Sequence, residues 1–183
     1  EKVDEDTPLL PNKVNHVYTA SKVAAELYCH GYQKLYKQNF TILRYGIPYG
    51  PRARGGTVAA IFVRKALNGE PLTIMGDGSQ YRNFIYVEDL AEGNVTALQG
   101  GAVNQTYNLE GMRPITIKEV AETVKKLVSN VKIEYQESRA GDYAGKTVSG
   151  EKARRELGWK PKIDFEEGMK RYIAWYKESI KKG

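Results

Sequence analysis

Apolar positions along the chain alternate between helical spacing and short continuous runs. From about Val17 to about Gln38, the residues Val17, Ala20, Ala24, Leu27 and Leu35 recur on one helical face, and the TILRYG that follows reads as a buried strand. GIPYGPRARGGT then reads as a glycine and proline loop. VAAIFVRKAL is helical, with Asn68 and Gly69 closing it, and PLTIMG is a short strand that ends in the turn GDGS. VEDLAEGNVTALQG predicts a further amphipathic helix and QTYNLEG a further strand. Thr116 and Glu119 stand at capping-box spacing before the helix ITIKEVAETVKKLV, and VKIEYQE is the strand after it. Ser149 to Leu157 predicts a short helix stopped by Gly158. Asp164 caps a last helix whose Met169, Tyr172, Ile173, Tyr176 and Ile180 form one packing stripe. Helices and strands alternating at these lengths predict an α/β fold with parallel pairing.

With 183 residues, 41% of them hydrophobic, the chain can bury one ordinary core, and its opening EKVDEDTPLLPNKVN reads as a loop. The net charge of +6 is spread along the chain, which argues against a nucleic-acid or lipid patch. The single cysteine, Cys29, allows no internal disulfide. His16 and His30 do not share a face at ligand spacing, so no metal is expected. No apolar run is long enough to span a bilayer, so no membrane partner is expected and the expected compartment is the cytoplasm.

Tyr18 and Lys22 carry the chemistry. Four apart on a predicted helix, they share one face, and an ammonium beside a phenol favours the phenolate that acid/base work requires. In a chain with 13 tyrosines such a pair also arises by accident, so the neighbouring segments decide its meaning.

Those neighbours are YTASK with the later Glu26, LRYGIPYGPR, PLTIMGDGSQYRNFIYVEDLA, TYNLEG and ARRELGWKP. In this order they resemble the Tyr/Lys helix, the RYxNxYGP loop, the pl-i-GdG-q-RdfiyVdDla block, the yNig segment and the LGw-P ending of the extended short-chain dehydrogenases/reductases, specifically the sugar-nucleotide epimerase/dehydratase family. The resemblance spans nearly the whole chain. It implies the C-terminal part of a Rossmann-like doubly wound parallel sheet plus a smaller α/β substrate-binding lobe. Residues 1–183 would form one truncated unit, with 1–55 and about 84–112 a remnant of the NAD-binding core and about 56–83 and 113–183 the substrate lobe.

By the same resemblance Tyr18 is the catalytic acid/base, and Lys22 assists it and binds the nicotinamide ribose of NAD. Tyr45, Gly46 and Pro48 lie beside the carboxamide. Arg82 and Arg139 grip the diphosphate of a nucleotide-diphosphate sugar, Asp142 lies near its ribose, and the position of Ile47 contacts the substrate. Asp89 is expected to cap and charge a helix N-terminus instead.

The expected activity is that of a UDP-sugar 4-epimerase, the alternatives being a nucleotide-sugar dehydratase or reductase of the same family, or a non-catalytic sugar-nucleotide binding fragment. The chain departs from the pattern at Ile47, where the family has asparagine, at Gly46, where it has phenylalanine and where space near the nicotinamide ring would open, and at Asn83, where it has aspartate. No GxxGxxG turn is present. The strands TILRY and TYNL should therefore expose apolar faces, and the chain is expected to stay with a missing N-terminal half or to self-associate, with a homodimer one possibility.

Overall fold

In the computed structural model, residues 2–8, 10, 12, 14, 16–99, 101–128, 130–138 and 144–181 are described. The first long element, α1 (Val17–Tyr36), opens at His16, whose Nδ1 accepts from the Tyr18 N–H at 3.1 Å. It stops at Tyr36, two residues before the expected Gln38, because Lys37 turns left-handed (φ 56°) and donates to the Gln33 carbonyl. The strand β2 (Thr41–Tyr45) follows and pairs in parallel with β6 (Gln105–Leu109), Thr41 opposite Gln105 and Tyr45 opposite Leu109.

The segment expected as a loop after β2 holds a strand, β3 (Ile47–Tyr49), parallel to β5 (Tyr81–Tyr86) with Ile47 opposite Phe84. Pro48 is tolerated because β3 is an edge, where no partner calls for the missing N–H. Strand β5 carries no period-2 signal because Phe84, Ile85 and Tyr86 are all buried, two facing one core and one the other. On its far side β5 pairs antiparallel with β7 (Pro114–Thr116). The strands β4 (Leu72–Met75) and β8 (Ile133–Gln136) form a further parallel pair, and the short β1 (Lys2–Val3) and β9 (Thr147–Val148) another.

Around these pack α2 (Val58–Leu67), α3 (Val87–Leu98), α4 (Ile117–Leu127), α5 (Glu151–Leu157) and α6 (Phe165–Lys181). Thr116 caps α4 by accepting from Glu119 N–H at 3.0 Å. The reciprocal half of the capping box is absent because the Glu119 carboxylate is held by Arg113. Asp164 accepts from Glu167 N–H at 3.1 Å at the start of α6, whose Met169, Tyr172 and Ile173 are buried while Ile180 has run out of partner surface. The short helix α5 begins at Glu151, two residues after the expected Ser149, which remains outside it as an acceptor for the Glu151 N–H.

Two apolar clusters result. The larger packs α2, α4 and α6 on Tyr49, Leu72, Ile74, Phe84 and Tyr86, and the smaller joins Ile85, Leu90, Tyr107, Leu109, Ala153 and Trp159. The expected exposure of TYNL is therefore corrected. Tyr107 and Leu109 are fully buried under α3, α5 and Trp159, and the uncovered apolar surface lies on α1 instead, where Val17, Leu27, Tyr28 and Leu35 are exposed.

Candidate active site

The helix α1 buries none of its residues against the rest of the chain, yet it has a fixed seat. Arg44 Nε and Nη2 donate to the two carboxylate oxygens of Glu26 at 2.8 and 2.6 Å, and His30 meets Phe40 edge to face at 4.9 Å. The Glu26 carboxylate beside Arg44 holds the guanidinium above its ordinary value. A bidentate, half-buried pair of this geometry orients one element on another more firmly than a single surface contact. Because α1 leads into β2 from its C-terminal end, its N-terminal turns return toward the C-terminal end of β2, the end where ligands bind in open parallel sheets.

At that end of α1 stand Tyr18 and Lys22. Lys22 Nζ lies 5.3 Å from the Tyr18 ring centroid, above its face, and Tyr18 is 65% exposed, so the phenol oxygen is accessible. Ser21 Oγ, within YTASK, is spent on the Tyr18 carbonyl at 2.7 Å. At the C-terminal end of β2, Tyr45 donates its phenol proton to Asn94 Oδ1 at 2.6 Å, and the next residue, Gly46, donates its N–H to the Leu109 carbonyl, extending the β2–β6 ladder.

Gly46 does not open space. A Cβ built there would stand 2.5 Å from the Asn83 carbonyl oxygen and 2.6 Å from Glu110 Oε2, so the volume of the usual phenylalanine is already occupied. Pro48 is exposed at the outer edge of β3.

The parallel register places Ile47 and Phe84 opposite each other. Arg82, two residues earlier on β5, thus lies on the same face as Ile47, roughly 7 Å along the strand at about 3.3 Å per residue. There it lines a cleft of about 600 Å³ with Phe62, Lys65, Thr73, Gln80 and Gln136. Arg82 Nη1 donates to the Tyr81 carbonyl at 2.7 Å, which holds the side chain against its own strand. Tyr18 and Lys22 do not line this cleft. Arg139 and Asp142 lie outside the described residues.

Asp89 departs from its expected cap role. No side chain caps α3, and Asp89, 3% exposed, accepts instead from the Ile163 N–H at 2.9 Å, while its carbonyl accepts from Trp159 Nε1 at 3.1 Å. It charges the helix N-terminus and also fastens α3 to the segment that enters α6.

Three contributors escaped the sequence reading. Arg44 is the arginine of the RYxNxYGP match, but nothing in the motif says that it seats α1, and Asn94 carries no signal beyond being polar on a helix. Glu110 does carry one, since it stands at the glycine of the yNig pattern; it is 7% exposed, and burial together with the nearby Glu5 carboxylate raises its carboxyl to about 8.

The residues at the C-terminal end of β2 fit one end of a dinucleotide. An exposed phenol and an ammonium suit ribose hydroxyls, whereas no glycine-rich turn is present to cradle a diphosphate. Among the described residues no helix is long and apolar enough to cross a membrane.

A sequence model of the NAD dependent epimerase/dehydratase family matches residues 1–109. The chain is 33% identical over 181 residues to a UDP-glucuronate 4-epimerase of Thermodesulfobacterium geofontis, covering 98% of this chain and 54% of that protein. It is 31% identical over 185 residues to a dTDP-glucose 4,6-dehydratase of Neisseria gonorrhoeae, covering 94% and 53%. Its structure superposes on the UDP-glucuronic acid 4-epimerase of Bacillus cereus, solved with UDP-glucuronic acid and NAD. The TM-score is 0.89 at 27% identity, over 98% of this chain and 57% of that one. The chain thus spans about half the length of the curated relatives it matches. On the family match and the Rossmann-like α/β fold together, this chain belongs to the NAD-dependent epimerase/dehydratase family, whose cofactor is NAD.

Proposed function

We propose that this chain is the substrate-side half of an NAD-dependent nucleotide-sugar 4-epimerase, acting together with a dinucleotide-binding half. The observation that carries the reading is the Tyr18–Lys22 pair, stacked on an exposed helix face that Glu26 and Arg44 seat beside the C-terminal end of β2. Tyr18 takes the proton from a sugar hydroxyl and later returns it, and Lys22 keeps a cation beside the phenol and reaches the nicotinamide ribose. NAD, when bound, would supply a reversible hydride acceptor at the sugar carbon, which would allow configuration to invert with no net redox change. The Tyr45, Gly46 and Pro48 segment borders the carboxamide. In this reading residues 1–55 and about 84–112 belong to the cofactor core, and about 56–83 and 113–183 form the substrate lobe.

Arg82, with Arg139, grips the diphosphate and Asp142 the nucleotide ribose. Ile47, on the same face as Arg82, offers the sugar an apolar wall. The test is titration of the chain with UDP-glucose by calorimetry. A charge-assisted arginine contact contributes about 1.5–3 kcal/mol, so Arg82→Ala is expected to weaken binding about 10- to 150-fold. Arg82→Lys, which keeps the charge and loses the fork, should fall between. Equal affinity in all three proteins would remove Arg82 from the site.

A further inference from the structure

The end of β6 holds a carboxyl group that no part of the proposed reaction uses. Glu110 follows Leu109, the last residue of the β2–β6 ladder, and its Oε2 is buried without a hydrogen-bond partner among the described residues. An ionised oxygen there would be costly, because none of the described donors bonds to it. A Cβ on Gly46 would stand 2.5 Å from the Asn83 carbonyl oxygen and 2.6 Å from Glu110 Oε2, so the two oxygens border the same small space.

The charged groups around it do not neutralise it. Glu5 reaches over from the N-terminal segment and spends Oε1 on the Asn108 N–H at 2.7 Å. Lys2, Arg113, Glu151, Arg154 and Lys160 line a 270 Å³ cavity that Glu110 also borders. Arg113 is taken by Glu119, and Arg154 faces Glu151 at 3.9 Å.

Two departures from the family pattern meet at this point. The usual phenylalanine is Gly46, and the glycine of yNig is Glu110, so side-chain volume has moved from the end of β2 to the end of β6.

We propose that Glu110 is a positioning residue for the candidate site, tying the segment at Gly46 to β5 by donating a carboxyl hydrogen bond to the Asn83 carbonyl. Through that bond it fixes the segment Tyr45–Gly46–Ile47 against the strand that carries Arg82. The inference rests on the proposed site for its functional meaning, whereas its physical content is independent of any reaction.

The raised value of about 8 agrees with this geometry. A carboxyl whose folded value lies above its unfolded one stabilises the fold fully below the unfolded value, and that stabilisation is lost as pH rises through about 8.

The experiment is carbon-13 NMR of the Glu110 carboxyl across pH 5–10, with the Gly46 and Ile47 amide resonances followed in the same samples and thermal melts run beside them. The expected result is a Glu110 midpoint about 8, both amides moving with it, and a melting temperature that falls as pH rises from the ordinary carboxylate range to about 8 and levels off above it. Glu110→Gln, a neutral donor at every pH, should hold the amides in their low-pH positions and flatten that fall. A Glu110 midpoint in the ordinary carboxylate range, or amides that do not follow it, would overturn the proposal. So would a Gln variant with the same melting profile as the parent. None of these readouts requires turnover, so failure of the epimerase reading would leave them unchanged.

Discussion

Replacing Tyr18 by phenylalanine in protein that carries both halves should lower kcat about 10²- to 10⁴-fold, the span that a positioned acid/base contributes, with nucleotide-sugar affinity nearly unchanged. The substitution removes one oxygen. It leaves the ring face over which Lys22 sits, and it leaves the N-terminal cap, which involves the Tyr18 backbone and His16. Seating of α1 by Glu26 and Arg44 is likewise untouched, so loss of rate cannot come from a displaced helix. Steady-state kinetics beside a binding titration separates the two quantities. A fall in affinity with an unchanged kcat would show that Tyr18 holds substrate and does not move its proton.

The second large effect is on stability. Gly111→Ala would place a Cβ 1.7 Å from the Phe84 carbonyl oxygen and 2.9 Å from its carbon, both backbone atoms that no rotamer change can move aside. The segment after β6 would have to separate from β5 at Phe84, which costs more than ordinary overpacking, about 3 kcal/mol or above. Denaturant unfolding should show a lower midpoint with an unchanged slope. Since Gly111 adjoins Glu110, the Gly46 amide should also lose its pH-dependent shift in this variant. A midpoint within error of the parent would contradict the close approach of Gly111 to Phe84 of β5.

How much of this was legible beforehand depended on where burial falls. The Tyr18–Lys22 pair could be read directly because helix spacing puts residues four apart on one face, and the caps at Thr116 and Asp164 because capping chemistry is local. The strand β5 could not, since burial of Phe84, Ile85 and Tyr86 erases the alternation by which a strand is recognised. Nor could β3, a three-residue edge whose pairing with β5 is decided across a gap of more than thirty residues. Gly46 was misread as room near the ring because the residue filling it, Glu110, is distant in sequence and adjacent only through the β2–β6 ladder. Asp89 was read as a cap from its place in VEDLA, while its bond to the Ile163 N–H depends on a chain segment more than seventy residues later.

The apolar surface also moved. Continuous runs such as TYNL suggested uncovered strands, yet α3, α5 and Trp159 cover Tyr107 and Leu109, and among the described residues α1 turns the most large apolar side chains outward. The periodicity of α1 was correct as a helix signal, and spacing alone does not say what packs on the stripe.

The central claim, C4 epimerisation of a nucleotide sugar, is tested most directly by proton NMR of UDP-glucose and UDP-glucuronate incubated with NAD and protein carrying both halves. The account predicts that one of these sugars is converted to its C4 epimer with no accumulation of NADH and no loss of water. Formation of a 4-keto-6-deoxy sugar, or no conversion of either substrate, would contradict it.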